Sequence, residues 1–430
     1  MKAKVIGVMV AVLMAGVIMA TADAALGETP YNLAWFRLLG TSGEDQASSV
    51  SVDGSGNAYI TGLTTGNLGG PNQGGYDAFL AKYSSAGGLL WTAQLGTGGD
   101  EHASGVSVDG SGNAYITGLT TGNLGGPNYG GWDAFLAKYS PTGGLLWKAQ
   151  LGTGNADSGA GVAVDGSGNA FVTGQTYGKL GGMNQGGSDA FLAKYSPAGS
   201  LLWTAQLGTG NYESAFGVSV DGSGNAYITG YTSGNLGGPN QGGYDAFLAK
   251  YSSAGDLVWT AQLGTAGGVF AYGVSVDGSG SAYIMGLTGG NLGGPNQGQG
   301  DAFLAKYSSA GGLLWTAQLG TAGDEHASGV SVDGSGNAYI TGYTHYTHAM
   351  DYSFLAKYSP TGGLLWTAQS GGALGNGVSV DGSGNAYITG VGGMDAFLAK
   401  YEPVPEPATL SLLALGGLGL IGRGFRTRRQ

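Results

Sequence analysis

The chain has no cysteine, so it has neither a disulfide framework nor a thiolate nucleophile or metal ligand. Proline is scarce, at 11 of 430 residues, charged residues make up only 10%, and there are four histidines. Long apolar runs occur only at the two ends. Glycine is the opposite case: 91 of 430 residues, against a usual ~7%. No three-residue glycine period exists, which excludes collagen, and 42% hydrophobic with 10% aromatic residues is too much core-forming material for a disordered linker. Glycine must therefore punctuate many short strands, and the fold class is all-β. The formal charge is −11, but six cations sit in the terminal segments, leaving 10 basic against 25 acidic residues between 26 and 403. A body this acidic repels phosphate backbones, so nucleic acid is not an expected partner.

The two ends read as addresses. Residues 1–24 have the order of a signal peptide: Lys2 and Lys4, an apolar run from Val5 to Ala20, then Ala20-Thr21-Ala22 or Ala22-Asp23-Ala24 as a small-residue cleavage site. That run is shorter than the ~20 residues a spanning helix needs. Residues 402–430 hold Pro405-Glu406-Pro407, a nearly uncharged Leu/Gly-rich stretch over 408–421, and a cationic end with Arg423, Arg426, Arg428 and Arg429. The stretch predicts a short hydrophobic transmembrane helix held by its cationic flank. This order resembles the PEP-CTERM sorting signal. The resemblance implies an exosortase-type membrane protease as a partner and a destination at the cell envelope, cell surface or extracellular matrix, with transient anchoring through the tail.

Between the ends, residues 31–401 repeat one phrase, Val-Ser-Val-Asp-Gly-Ser-Gly-Asn-Ala-Tyr-Ile-Thr-Gly. Its first Asp falls at Asp53, Asp109, Asp165, Asp221, Asp277, Asp333 and Asp381, a spacing of 56 five times and then 48. A second phrase, Asp-Ala-Phe-Leu-Ala-Lys-Tyr, and a third, Leu-Leu-Trp-Thr-Ala-Gln-Leu-Gly, follow in each full unit. In the first unit these predict strand a at Val50–Val52, strand b at Asn57–Thr61, strand c at Asp77–Tyr83 and strand d at Leu89–Leu95. Four antiparallel strands at a period near 50 residues mark a propeller blade. Side chains grow larger from strand a to strand d, which suits blades that converge on an axis and diverge at a rim.

The seventh unit has strands a, b and c but no strand d. The missing piece stands at the start, where Trp35 lies 56 residues before Trp91. The expectation is thus a seven-bladed ring in which the first strand completes the last blade. The repeats also resemble the SBBP family of bacterial propeller repeats, through Asp53, Gly56, Asn57, Tyr59, Thr61 and Gly62 and through Phe79, Leu80, Lys82 and Tyr83. That resemblance implies the fold and says little about activity.

Candidate chemistry is sparse. Each Asp-Gly-Ser-Gly-Asn turn offers one carboxylate, where calcium wants six to eight oxygens, so its Asp and Asn are expected to cap the hairpin. The once-per-blade lysines (Lys82 and its copies) suit a blade-to-blade contact with a carboxylate. The acidic pairs Glu44-Asp45, Asp100-Glu101 and Asp324-Glu325 read as solvated acids on flexible d–a loops. His345 and His348 lack an evident third metal ligand. No catalytic residue, metal site or cofactor is expected. The b–c loops, 63–76 and their copies, are the best binding candidates: Asn72, Gln73 and Tyr76, Asn128 and Trp132, and Asn240, Gln241 and Tyr244 place amides beside aromatics, a combination suited to sugar hydroxyls and faces. The expected function is a non-enzymatic binding scaffold at the envelope, its partner an envelope protein or an extracellular polysaccharide. A carbohydrate-binding propeller is the alternative, and a polysaccharide-degrading enzyme a remote one.

Overall fold

The computed structural model describes residues 31–346 and 351–404. Among them, 28 strands form seven four-stranded antiparallel sheets, arranged as the blades of a propeller. Blade 1 consists of strand a (Asp45–Val52), strand b (Ala58–Thr64), strand c (Asp77–Tyr83) and strand d (Leu89–Leu95). Blade 7 joins Leu374–Val380, Ala386–Gly392 and Asp395–Pro403 to the first strand of the chain, Tyr31–Leu39.

The closing strand runs from Tyr31 opposite Pro403 to Leu39 opposite Ala396. Trp35 faces Lys400 just as Trp91 faces Lys82 in blade 1, so the borrowed strand sits in the register of a native strand d. Phe36 stacks on Phe397, with centroids 5.5 Å apart. Tyr31 reaches into blade 6, its hydroxyl 2.8 Å from that of Tyr339, and donates to the Gly384 carbonyl at 3.0 Å. The ring is thus closed by a backbone ladder and by buried aromatic contacts.

Two expectations about burial change. Strand a starts five residues earlier than the Val50–Val52 core suggested, and it begins with a buried acid. The size gradient also stops short of the rim. The largest fully buried side chains are the strand b tyrosines, with Phe171 in their place in blade 3, and the phenylalanines of strand c, whereas Leu89 and Leu90 on strand d are about half exposed, at 49% and 54%. Strand c is packed by neighbouring blades on both faces, so all seven of its residues in blade 1 are buried. Strand d has a solvent side, and its leucines stand there.

The inner strands line the axis. Ser48, Ser104, Ala160, Phe216, Tyr272, Ser328 and Asn376 occupy one register around it, with valines two residues further on. The cavity they enclose measures about 220 Å³, below the ~300–1,000 Å³ of ordinary ligand pockets.

Candidate functional site

Each blade has two ends, and the ring therefore two faces. The lower face carries the a–b and c–d turns, and its polar groups are spent on the fold. Asp53 accepts from the backbone N–H of Ser55 and Asn57 and from the Asn57 amide, capping the turn as expected. Lys82 lies 3.8 Å from Asp53, sits over the Tyr59 ring at 4.7 Å, and donates to the Pro141 carbonyl of the next blade. Tyr59 donates to the Gly112 carbonyl, and Trp91 Nε1 to Pro141, both also across the blade boundary. Gly143 follows in that c–d turn with φ +87, where a Cβ would lie 2.9 Å from the Trp91 ring, so the turn needs glycine twice over. Burial alone would raise the Asp53 pKa. The hydrogen bonds from Asn57 and Ser55 and the charge of Lys82 outweigh it, holding the carboxyl below its usual range. Burial, joined by Asp53 and Asp109, pushes the Tyr59 phenol far above its ordinary value, so it stays a donor.

On the upper face, where d–a and b–c loops meet, the second acid of each predicted loop pair is not solvated. Asp45, Glu101 and Glu325 are buried. Asp45 accepts from the Thr41 N–H and hydroxyl and from Thr64; Glu101 repeats this with Thr97 and Thr120. A buried carboxylate is tolerable because these donors replace water. Only the first acid of each pair is left at the surface, and even that is engaged: Glu44 accepts from Tyr76, and Asp100 from the Tyr76 N–H.

The b–c loops are pinned outward. Gln94 on strand d accepts from the Leu68 and Gly69 N–H groups and donates to Gly66 and Asp77. A Cβ at Gly69 would fall 2.6 Å from the Ala93 backbone, so only glycine lets the loop lie that close to strand d. The candidate amides serve the same loops. Asn72 accepts from Gly74 and donates to Gly75, Asn128 donates to Thr121, and Asn240 accepts from Gly242. Gln73 and Gln241 are exposed, and their N–H groups donate to Asp77 and Asp245. Trp132 is 47% exposed, and Tyr76 packs edge-on against His102 at 5.0 Å.

Tyr244 alone among these candidates belongs to a larger aromatic cluster. It contacts Tyr231 at 5.0 Å and Phe270 at 5.2 Å. Tyr231 in turn meets Phe270 at 5.5 Å and Phe216 at 5.8 Å, and Phe216 meets Tyr272 at 5.6 Å. These five rings run from the b–c loop of blade 4 to the mouth of the axial cavity. Beside them in blade 6, His326 stacks on Tyr343 at 5.0 Å. Burial raises the Tyr231 and Tyr272 phenols and lowers the His326 imidazole, so all three are neutral around pH 7. Only Tyr244 was a sequence candidate. The signal that finds the rest is a comparison at constant register: Phe216 and Tyr272 stand where blades 1, 2 and 6 have serine, and Tyr231 where blades 1 and 2 have Leu63 and Leu119.

The remaining histidine candidates do not converge on this cluster. His345 Nδ1 pairs with Asp351 at 2.7 Å, the histidine exposed and the aspartate partly buried, and His348 lies outside the described residues. So do the predicted signal peptide at 1–24, the sorting residues Pro405, Glu406, Pro407, Arg423, Arg426, Arg428 and Arg429, and the predicted helix at 408–421. Among the described residues no helix is long and apolar enough to cross a membrane, and no group of three or more His, Asp or Glu side chains could hold a metal ion.

Fold and faces together define a seven-bladed β-propeller assembled from near-identical sequence repeats. The family model of the SBBP β-propeller repeat matches it six times, at 34–69, 90–125, 146–181, 202–237, 258–293 and 314–347. A PEP-CTERM protein-sorting motif matches residues 403–429. The chain is an SBBP-repeat propeller protein that carries a PEP-CTERM motif. It is 26% identical over 318 residues to the "Regulatory protein FlaEY" of Caulobacter vibrioides, covering 64% of this chain and 33% of that protein. It is also 29% identical over 165 residues to the "Uncharacterized WD repeat-containing protein L264" of Acanthamoeba polyphaga mimivirus, covering 31% of this chain and 12% of that one. The chain therefore spans a third or less of the length of these curated relatives. Similar solved structures include a PL25 ulvan lyase, at 10% identity and TM-score 0.49 with 84% of this chain and 95% of that one covered. A putative gluconolactonase follows at 13% identity and TM-score 0.38, with 83% and 98% covered. At such values no chemistry carries over.

Proposed function

We propose that this protein is exported and sorted to the bacterial envelope, where it acts as a non-catalytic interaction scaffold. The PEP-CTERM motif supports export, processing by an exosortase-type protease, and passing attachment to the membrane through the tail. One observation carries the non-catalytic part. Most polar side chains that recur around the ring are engaged in turn caps, loop anchors and blade-to-blade bonds, and the recurring exception, one carboxylate oxygen of Asp77, Asp133, Asp189 and Asp245, is buried away from the surface. Catalysis needs an acid, base or nucleophile released from such duties and set apart from its siblings. On the upper face, the cluster that departs from the repeat is made of aromatic rings.

The test is capture. Immobilised mature protein, exposed to detergent-solubilised envelope extract, should retain a specific macromolecule; an empty eluate retires the scaffold reading. Replacing Pro405, Glu406 and Pro407 together should deplete the protein from the envelope fraction. Polysaccharide turnover that one substitution abolishes would instead make it an enzyme.

A further inference from the structure

We infer that the upper face over blades 3 to 5 is a binding platform for an uncharged polysaccharide chain, with Phe216, Tyr231, Tyr244, Phe270 and Tyr272 as its stacking surface. This rests on the scaffold reading and names the ligand class for it.

Three observations converge. The first is that the strand a aromatics are clustered. In a chain that otherwise repeats nearly verbatim, strand a changes Ser48 and Ser104 to Phe216 and Tyr272 in adjacent blades, and strand b changes Leu63 and Leu119 to Tyr231, a change that blade 6 shares at Tyr343. Random drift has no reason to place these changes in adjacent blades and in ring-to-ring contact. Tyr244 itself is 39% exposed, and two further exposed aromatics belong to the same sector: Tyr177 at 43% and Tyr212 at 51%. Tyrosine offers a rigid amphipathic surface at low entropic cost, and its ring face matches the C–H face of a sugar while its hydroxyl reaches the sugar's rim.

Charge is the second. The register at the start of strand a holds Glu44, Asp100 or Asp324 in blades 1, 2 and 6, but Ala156, Tyr212 and Gly268 in blades 3, 4 and 5. Across those three blades the d–a connections (152–156, 208–212, 264–268) and b–c loops (177–188, 233–244, 289–300) contain a single charged residue, Lys179. The sector is a nearly neutral window in an acidic body, and that body would repel an acidic polymer. His326, neutral at pH 7, adds no cation beside it.

Shape is the third. The b–c loops fold back along the outer strands, which leaves the rings between loop and axis partly exposed, and the axial cavity is too small to admit a polymer. A chain would lie across the face and would not thread the ring.

Native gels containing mixed-linkage β-glucan, galactomannan, dextran or alginate provide the test, with envelope capture run in parallel. At least one neutral polymer should retard the protein, and alginate should not. A variant carrying F216S, Y231L and Y272S takes residues that sibling blades already accommodate. It should keep a single cooperative melting transition, with a midpoint lowered only slightly, and lose at least about tenfold in affinity, while Leu146→Ser on an outer strand should change nothing. Retardation by alginate in place of the neutral polymers, equal retardation of variant and wild type, or self-association lost in the variant would each overturn the inference. Envelope capture without retardation by any neutral polymer sinks the glycan platform and leaves the scaffold standing; failure of both removes both.

Discussion

The two faces of this ring are built from the same repeat and have been used differently. On the lower face the lysine–tyrosine–aspartate contact recurs almost unchanged in blades 1, 2, 4 and 5, with Nζ to ring distances of 4.7, 4.8, 4.7 and 4.6 Å at Lys82, Lys138, Lys250 and Lys306, and it loosens only next to the closure, where Lys400 turns to Glu402. On the upper face the same register holds serine in one blade and phenylalanine in another. The difference teaches where substitution is affordable. A lower-face residue answers to its own turn and to the next blade, so a change there breaks two contacts at once. The inner upper-face positions stand half-buried beside the axial cavity, where a new side chain meets other side chains and water without breaking a turn cap.

The sharpest way to break the comparison is to remove the closure. Deleting 31–39 takes away the outer strand of blade 7, the Tyr31 bonds to blade 6 and the Phe36–Phe397 stack. The exposed strand c would then present an unpaired edge. The melting midpoint should fall by on the order of 10 °C or more, and the single transition should broaden. An unchanged calorimetric trace would mean that closure contributes nothing.

Next in size is a single lower-face lesion. Asp53→Ala removes the cap of the a–b turn and strips Lys82 of its counter-charge. A cost of about 2–3 kcal/mol is expected, measured by urea unfolding, with Asp109→Ala matching it in blade 2. Because Asp53, Asp221 and Asp277 all have lowered folded pKa values, the stability they add is present above their unfolded value of about 4. It drains away as the pH falls through the folded values, so Asp53→Ala should converge on wild type in acid. An upper-face change such as Tyr231→Leu should cost under about 1 kcal/mol, which is what makes it usable as a binding probe. A cost equal to that of Asp53→Ala would erase the distinction between the faces.

Much of the fold was legible because repetition does what an alignment would. Seven copies of Asp-Gly-Ser-Gly set the blade count, and Trp35, standing one period before Trp91, exposed the closure. Burial at Asp45 was not legible. Two adjacent acids flanked by glycine look solvated, and only the packing of neighbouring blades around Thr41 and Thr64 shows one of them enclosed. The outward pinning of the b–c loops was hidden for a related reason, since Gln94 reads as a surface residue of strand d until the loop is seen lying on it. Candidate amides such as Asn72 therefore drew attention that belonged to the rings beside the axis. Phe216 and Tyr272 lie a full period apart in the chain, and reading down a column of seven blades finds them where reading along the chain does not.

The smallest expected effect tests where the ring joins itself on the upper face. Asp395 heads the last strand c, and its carboxyl is raised by burial and by the nearby charge of Asp45. A folded pKa above the unfolded value means the native state holds the proton more tightly, so ionisation at neutral pH is a penalty on folding. Asp395→Asn removes that penalty and should raise the melting temperature slightly at pH 7. The advantage should shrink as the pH falls through the raised pKa, because wild-type Asp395 then protonates and ceases to repel Asp45. It should vanish near the unfolded value of about 4. Parallel melts at pH 7 and pH 4 decide it. A variant that is less stable at pH 7, or a gain that persists unchanged at pH 4, would show that Asp395 holds the junction through its shape and hydrogen bonding, with its charge irrelevant.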